Sequence, residues 1–407
     1  MNTEPFPPEE QPTDQDRRGR ARERHRKRQE QRQQKETSAP FSPRIPAIPR
    51  ASLPRATRQL TPSGSFKLPE IRLPQSRLPL FIAVGAIFVI LGVLLLGGLR
   101  NRAPEAGPNA MWVFTEWTYT RRSDEAVAEL VQRLRDNQIG TVYAWVSYLR
   151  PDGTWAGNQG GRFDDISDDV QAFVVQFKRL YPEAHLLAWI GLPNGANPQT
   201  YNQEADTFTQ TITDFGQQAI SQIGFDGVFL QVEQVVSGDE NFMSLLRQMR
   251  SQLGEDTILA VAVPPDWTPV NANIALPPLY APGTVWEQSY KQRVALIANQ
   301  IIVMAYNSGF TNPEDYVSWI AYQTQIYAEA VSQLDGAAQI VIGVPTYDAD
   351  LPRHDPTVEN IASAVEGIRQ GETAAGDAAT TIQGIALYFS QTIDDEEWAQ
   401  FRDTWLR

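Results

Sequence analysis

Eight short apolar runs recur along the C-terminal three quarters of the chain. They are MWVFTEW from Met111, TVYAWV from Thr141, HLLAWI from His185, GVFLQV from Gly227, ILAVAV from Ile258, IIVMAY from Ile301, QIVIGV from Gln339 and GIALYF from Gly384. Each mixes β-branched, aromatic and leucine residues over about six positions, the pattern of strands buried on both faces. Amphipathic stretches separate them. Val127, Leu130, Val131 and Leu134 recur at three and four behind Ser123, and Val170, Phe173, Val174 and Phe177 do so behind Ser167 or Asp168. Phe242, Leu245, Leu246 and Met249 form a third stripe, and a last one opens at Asp394. Each stripe is the core-facing side of a helix. Eight strand–helix units predict an α/β fold closed as a (β/α)8 TIM barrel over 110–407. An open doubly wound sheet is the alternative, but no Gly-rich nucleotide loop follows the first strand.

The barrel does not account for the rest of the chain. From Leu78 to Leu99 run 22 residues without a charge. A helix of that length spans roughly 33 Å at about 1.5 Å per residue, enough for a bilayer core of about 30 Å. A cleaved signal peptide is the rival reading, but its apolar core is shorter and it rarely follows 77 residues. The expectation is one transmembrane helix at 78–99. Residues 1–77 hold 17 Lys+Arg and 9 Asp+Glu, are rich in Pro, Gln and Ser, and lack apolar clusters. Such a segment cannot bury enough surface to offset its ordering entropy, so a disordered arm is expected. Arg50, Arg55, Arg58, Lys67, Arg72 and Arg77 precede the apolar stretch, whereas only Arg100 and Arg102 closely follow it. The positive-inside tendency then puts the arm in the cytoplasm and the barrel outside, beyond a tether at 100–109.

Charge and composition exclude several functions. Residues 78–407 carry 18 basic and 39 acidic side chains. Duplex phosphates would be repelled, so nucleic acid is not expected as a partner. With no cysteine, thiolate catalysis and thiolate metal sites are absent. Three histidines, His25, His185 and His354, cannot supply a multi-histidine zinc site near one place in the barrel, and no cofactor or metal is expected.

In such a barrel the chemistry belongs at the C-terminal ends of the strands. The fourth run ends in Glu233, the fifth leads into Asp266 and Trp267, the sixth ends in Tyr306 and Asn307, and the seventh in Tyr347 and Asp348. Trp117, Tyr119, Trp145, Tyr148, Trp189 and Tyr388 crowd the same ends. Any one of them fits a core position. Together they offer what a sugar needs, aromatic walls for its C–H face and polar tips for its hydroxyls. The proline-rich segment Trp267–Gln288 is long enough to form a wall or lid.

The segment Phe225–Glu233 resembles the fourth-strand signature of glycoside hydrolase family 18, the chitinase family, which reads Asp-Gly-x-Asp-x-Asp-x-Glu. IVMAYN at Ile302–Asn307 is similar to that family's sixth strand, ending Met-x-Tyr-Asp. VIGVPTY at Val341–Tyr347 is similar to its seventh, and LAVAVPP from Leu259 to its fifth. The likeness covers most of Met111–Arg407. It implies Asp226 and Gly227 at the start of the signature, Glu233 as general acid, Tyr306 beside the reacting acetamido group and Met304 as its neighbour. The chain departs from the pattern at three positions. Phe229 and Gln231 stand where the signature has aspartates, and Asn307 replaces the sixth-strand aspartate.

In the family the substrate's own N-acetyl oxygen attacks the anomeric carbon, and the aspartate two residues before the acid holds the acetamide and balances its developing charge. Gln231 can hydrogen-bond that group but carries no charge, and Phe229 removes the inner carboxylate, so the electrostatic contribution is weakened. Three readings follow. The chain is a glycosidase using Glu233 with another carboxylate (Asp266, Asp348 or Glu116), a glycan-binding barrel without turnover, or a structural envelope barrel. The resemblance implies a glycan partner, chitin-like, peptidoglycan or surface polysaccharide, met outside the cell membrane. The expected catalytic residues are Glu233, Tyr306 and Gln231. The expected substrate contacts are Asp226, Met304, Asn307, Trp117, Trp145, Trp189, Asp266, Trp267, Tyr347 and Asp348.

Overall fold

A computed structural model describes residues 106–192, 205–232, 235–266, 272–278, 285–336, 338–347 and 353–407. The apolar stretch 78–99, Glu233, Trp267 and Asp348 lie outside the described residues. Among the described residues, no helix is long and apolar enough to cross a membrane.

Each of the eight apolar runs is a strand. They are β1 (Asn109–Val113), β2 (Ile139–Tyr148), β3 (His185–Leu192), β4 (Gly227–Val232), β5 (Ile258–Val263), β6 (Gln300–Val303), β7 (Gln339–Pro345) and β8 (Ile382–Tyr388). All neighbours pair in parallel, and the sheet closes in sequence order with β8 against β1. β1 starts at the last residue of the expected tether. Between and after the strands lie α1 (Asp124–Asp136), α2 (Ser167–Leu180), α3 (Ala205–Gln218), α4 (Glu240–Leu253), α5 (Gln288–Ala295), α6 (Pro313–Val331), α7 (Ile361–Ala375) and α8 (Asp395–Thr404). This is the α/β (β/α)8 barrel that the spacing predicts.

Local chemistry explains where the helices begin. The Ser123 side chain accepts the Ala126 N–H at 3.2 Å and starts α1. Asp239 accepts from Asn241 and Phe242 at the head of α4. Asp394 and Glu397 form a reciprocal capping box on α8. Each cap satisfies N–H groups that the helix itself leaves open, worth about 1 kcal/mol. The buried faces are the stripes read from sequence: Val127, Leu130, Val131 and Leu134 on α1, and Val170, Phe173, Val174 and Phe177 on α2.

Two apolar regions result. The larger lies between strands and helices, and a smaller one fills the barrel itself. The floor of the barrel is polar. Tyr143, fully buried, donates its hydroxyl to Gln300 Oε1 at 2.5 Å, and Gln300 donates onward to Gln383 at 2.6 Å. Burial pushes the Tyr143 phenol well above its ordinary range, so it remains a neutral donor.

Candidate functional site

Side chains two apart on a strand share a face, so one parity from each strand fills the barrel. From β1 these are Ala110 and Trp112, with Phe114 continuing the parity just beyond the strand. From β2 come Tyr143 and Trp145, from β3 Leu187 and Trp189, and from β4 Phe229. The register sets Trp145 beside Trp189, Trp189 beside Phe229, and Gly191 beside Gln231. Phe229 is fully buried and meets Tyr143, Trp112 and Trp189 at ring separations of 4.3, 5.9 and 6.0 Å. The inner position of the resembling signature therefore lies inside an aromatic plug. A carboxylate there would have rings on every one of these sides and no counter-charge among the described residues around it.

Above the plug the aromatics open toward the C-terminal ends of the strands. Trp145 stacks on Phe114 at 5.5 Å and stands edge-on to Trp189 at 4.7 Å. Its indole N–H donates to the Tyr119 hydroxyl, which donates to the Val146 carbonyl, both at 3.0 Å. Burial raises the Tyr119 phenol to about 12, so this relay stays protonated. Tyr306 lies flat on Tyr388 at 5.0 Å with 11° between the rings. Phe389, joined to Tyr388 by a cis peptide, sits 5.2 Å from Phe114. Met304 and Gln231 are half-buried beside them, Met304 packing on the barrel aromatics. Two glycines make the room. A Cβ on Gly191 would come 2.9 Å from the Trp145 ring, and one on Gly343 3.1 Å from Tyr306. A side chain at 191 would force the Trp145 ring to shift, and one at 343 would crowd the Val303 carbonyl and the Tyr306 ring.

The β6 and β7 ends meet at the rim. The Tyr347 hydroxyl donates to Asn307 Oδ1. Asn307 has φ +58°, a left-handed conformation that asparagine tolerates better than most residues. Beneath it lies Glu359, a buried carboxylate that accepts from the Asn307, Ser308 and Gly309 N–H groups and is joined by His354.

The mouth thus brings together Trp145, Trp189, Met304, Tyr306, Asn307, Tyr347 and Gln231. Three other expected contacts lie elsewhere. Trp117 packs on Phe173 of α2 with the Arg122 guanidinium 5.4 Å above its ring. Asp226 precedes β4 at the opposite end of the barrel, where it pairs with Lys178 at 2.5 Å and accepts the Leu186 N–H at 2.9 Å. Asp266 is 2% exposed, pairs with Lys291 at 2.5 Å, and accepts the Trp286 N–H at 2.9 Å. Burial raises its carboxyl, with Lys291 opposing. All of its described partners are structural, so it lends the mouth no open carboxylate. Glu116 comes nearer. It follows β1 and accepts from the Ser390 hydroxyl at 2.9 Å, while its second oxygen is buried with no partner among the described residues.

Sequence reasoning missed Phe114, Phe389, His354 and Glu359. The inward parity of Ala110 and Trp112 could have found Phe114. Nothing local marks Glu359, whose backbone N–H donors lie some fifty residues away. Among the described residues no group of His, Asp or Glu is arranged to hold a metal ion.

No protein-family profile and no curated protein matches the chain. Solved structures do. A class V chitinase from Pseudomonas fluorescens Pf-5 aligns at 14% identity and a TM-score of 0.50, over 75% of this chain and all of that one. The spore cortex-lytic enzyme SleL of Bacillus megaterium QM B1551 aligns at 13% identity and 0.47, over 75% of each chain. A GH18 chitinase mutant from Cycas revoluta, solved with (GlcNAc)4, aligns at 13% and 0.48, over 73% of this chain and 99% of that one. At such identity the likeness speaks to fold alone: this domain is a (β/α)8 barrel, similar in fold to the class V chitinase.

Proposed function

We propose that the barrel is an extracytoplasmic glycan-recognition domain, held at the cell membrane by residues 78–99, with N-acetyl-hexosaminide chains as its ligand class. One observation carries this reading: the aromatic mouth of Trp145, Phe114, Phe389, Tyr388 and Tyr306, floored by the buried Trp189 and tipped with the polar side chains of Gln231, Asn307 and Tyr347. Aromatic faces take the C–H side of a pyranose, and the amide and phenol tips suit hydroxyl and acetamido groups. None of these nine side chains is charged at neutral pH, which suits a neutral sugar.

Hydrolysis is the second reading, and Glu233 carries it. In sequence that residue follows β4 directly and stands two positions after Gln231, where the resembling signature has its acid. With Phe229 sealed among rings and glutamine at 231, a carboxylate that would balance an acetamide-derived cation is missing from both signature positions. Turnover by this route would therefore be slow, and capture is the better-supported activity.

The test is direct. The full-length chain is incubated with chitin oligosaccharides, peptidoglycan fragments and neutral glucans, and both binding and product release are followed. Binding without release, unchanged by Glu233→Gln, supports capture. Release abolished by Glu233→Gln moves the assignment to a glycosidase. Failure to bind any of the three sinks both. Membrane attachment is tested by deleting residues 78–99, which should release the protein into the soluble fraction.

A further inference from the structure

Four residues at the β6 and β7 ends close a hydrogen-bonded ring. Glu359 Oε2 accepts the Asn307 N–H at 2.7 Å. Asn307 Oδ1 accepts the Tyr347 hydroxyl. The Tyr347 carbonyl faces His354 Nε2 at 2.8 Å, and His354 Nδ1 faces Glu359 Oε2 at 3.2 Å. The side chains of His354 and Glu359 are fully buried, and the Tyr347 ring packs on the imidazole at 4.0 Å.

The hydrogen-bond roles around the ring point to its charge. A backbone carbonyl has no proton to give, so Nε2 must donate. The other Glu359 oxygen accepts the Ser308 N–H at 2.8 Å, the Gly309 N–H at 3.2 Å and the Ser308 hydroxyl. With three backbone N–H groups and a hydroxyl upon it, the carboxylate is served as an anion. Nδ1 then faces an acceptor as well and must also carry hydrogen. An imidazole donating from both nitrogens is a cation. A lone buried carboxylate would be costly, and His354 supplies its counter-charge.

We propose that His354 and Glu359 form a buried imidazolium–carboxylate pair that positions the ligand-recognising rim, fixing the Asn307 backbone and through it the Tyr347–Asn307 contact. Neither residue is placed to touch a ligand; both are positioning residues. The proposal rests on the glycan-recognition reading above for the role of the rim, but the charge of the pair stands apart from it. Its consequence is selectivity. The Asn307 amide oxygen is engaged by Tyr347, which leaves the amide N–H groups as the donors that side chain can offer to the carbonyl or hydroxyl oxygens of a neutral sugar.

The experiment uses the full-length chain with 15N-labelled histidine. Only three histidines exist, so His354→Gln identifies the ring by the signals it removes. Both His354 nitrogens should be protonated at neutral pH. Glu359→Gln should convert the ring to a form with one N–H, and should weaken binding of N-acetylglucosamine oligomers about tenfold or more. A single protonated nitrogen in the unaltered chain overturns the proposal, as does a Glu359→Gln chain with unchanged spectrum and affinity. If Glu359→Gln does not fold, Tyr347→Phe opens the ring without touching its charges. It should leave the His354 signals doubly protonated, speed hydrogen exchange at the Asn307 amide and lower affinity. Unchanged exchange there overturns the positioning role. If the unaltered chain binds no oligomer, the glycan reading fails by itself, and the pair is judged on the nitrogen signals and amide exchange alone.

Discussion

Phe229 lies on Tyr143 with ring centroids 4.3 Å apart and 27° between their planes, at the centre of the barrel. The position that an acidic residue holds in the resembling signature is here part of the hydrophobic plug. Restoring the acid alone should therefore damage the fold before it helps any chemistry. Phe229→Asp removes a buried ring and leaves an uncompensated carboxylate, at a cost of about 4 kcal/mol or more. In a domain of this size that lowers Tm by roughly 10 °C. Thermal unfolding followed by circular dichroism reads the change, and a shift of only a degree or two would show that the plug is not packed as described.

Position 231 is different, because Gln231 is half-buried at the mouth. Gln231→Asp should fold and should raise hydrolysis of an N-acetyl-hexosaminide by about tenfold or more, since a charge near a developing cation is worth at least about 1.4 kcal/mol. Release of a chromogenic leaving group measures it. No gain would mean that an acetamide is not held beside residue 231.

Lys291 should matter most at neutral pH. Lys291→Met leaves Asp266 buried without its counter-charge, a loss of about 3–5 kcal/mol. Burial already raises the Asp266 carboxyl, and losing Lys291 raises it further. A carboxyl raised in the folded state takes up its proton on folding, so folding is favoured as pH falls through the window between the raised and ordinary values. The deficit of the variant should therefore shrink on acidification toward the ordinary carboxylate range. Urea unfolding at several pH values tests the sign, and a pH-independent deficit would refute it.

Trp145 should separate recognition from stability. Trp145→Phe keeps a ring over Phe114 but loses the N–H bonded to Tyr119 and much of the flat face. Affinity for a glycan oligomer should fall about tenfold, while stability changes by about 1–2 kcal/mol. Titration calorimetry beside urea unfolding decides, and equal affinity would remove Trp145 from the binding surface.

The barrel was legible because strands buried on both faces leave continuous apolar runs, and the helices between them carry periodic stripes behind Ser123 and Asp394. The mouth was legible in part, since strand parity alone sends Trp145, Trp189 and Gln231 inward. What parity cannot give is the partner. Asp266 reads as a rim carboxylate until Lys291, twenty-five residues on, is brought against it. Asp226 reads as a site residue until the register sets it at the barrel floor beside Lys178. Glu359 and His354 stand in a stretch with no period at all; backbone N–H groups of another loop hold the first and the Tyr347 carbonyl faces the second, and neither has a signature in sequence.

Asn109, fully buried at the start of β1, gathers contacts from three parts of the chain. It donates to the Gln138 carbonyl ahead of β2, and its side-chain oxygen accepts from Ile385 of β8 and from the indole of Trp405 after α8. A mechanical load transmitted along the chain from the residues before it would reach this junction on entering β1. Because the first strand, the last strand and the C-terminal tail are fastened at one amide, such a load is shared in shear across the seam between β8 and β1. It does not fall on β1 alone, which would otherwise peel away one hydrogen bond at a time. The same fastening lies at the floor of the barrel, so a load entering through β1 would meet it at the end opposite the mouth.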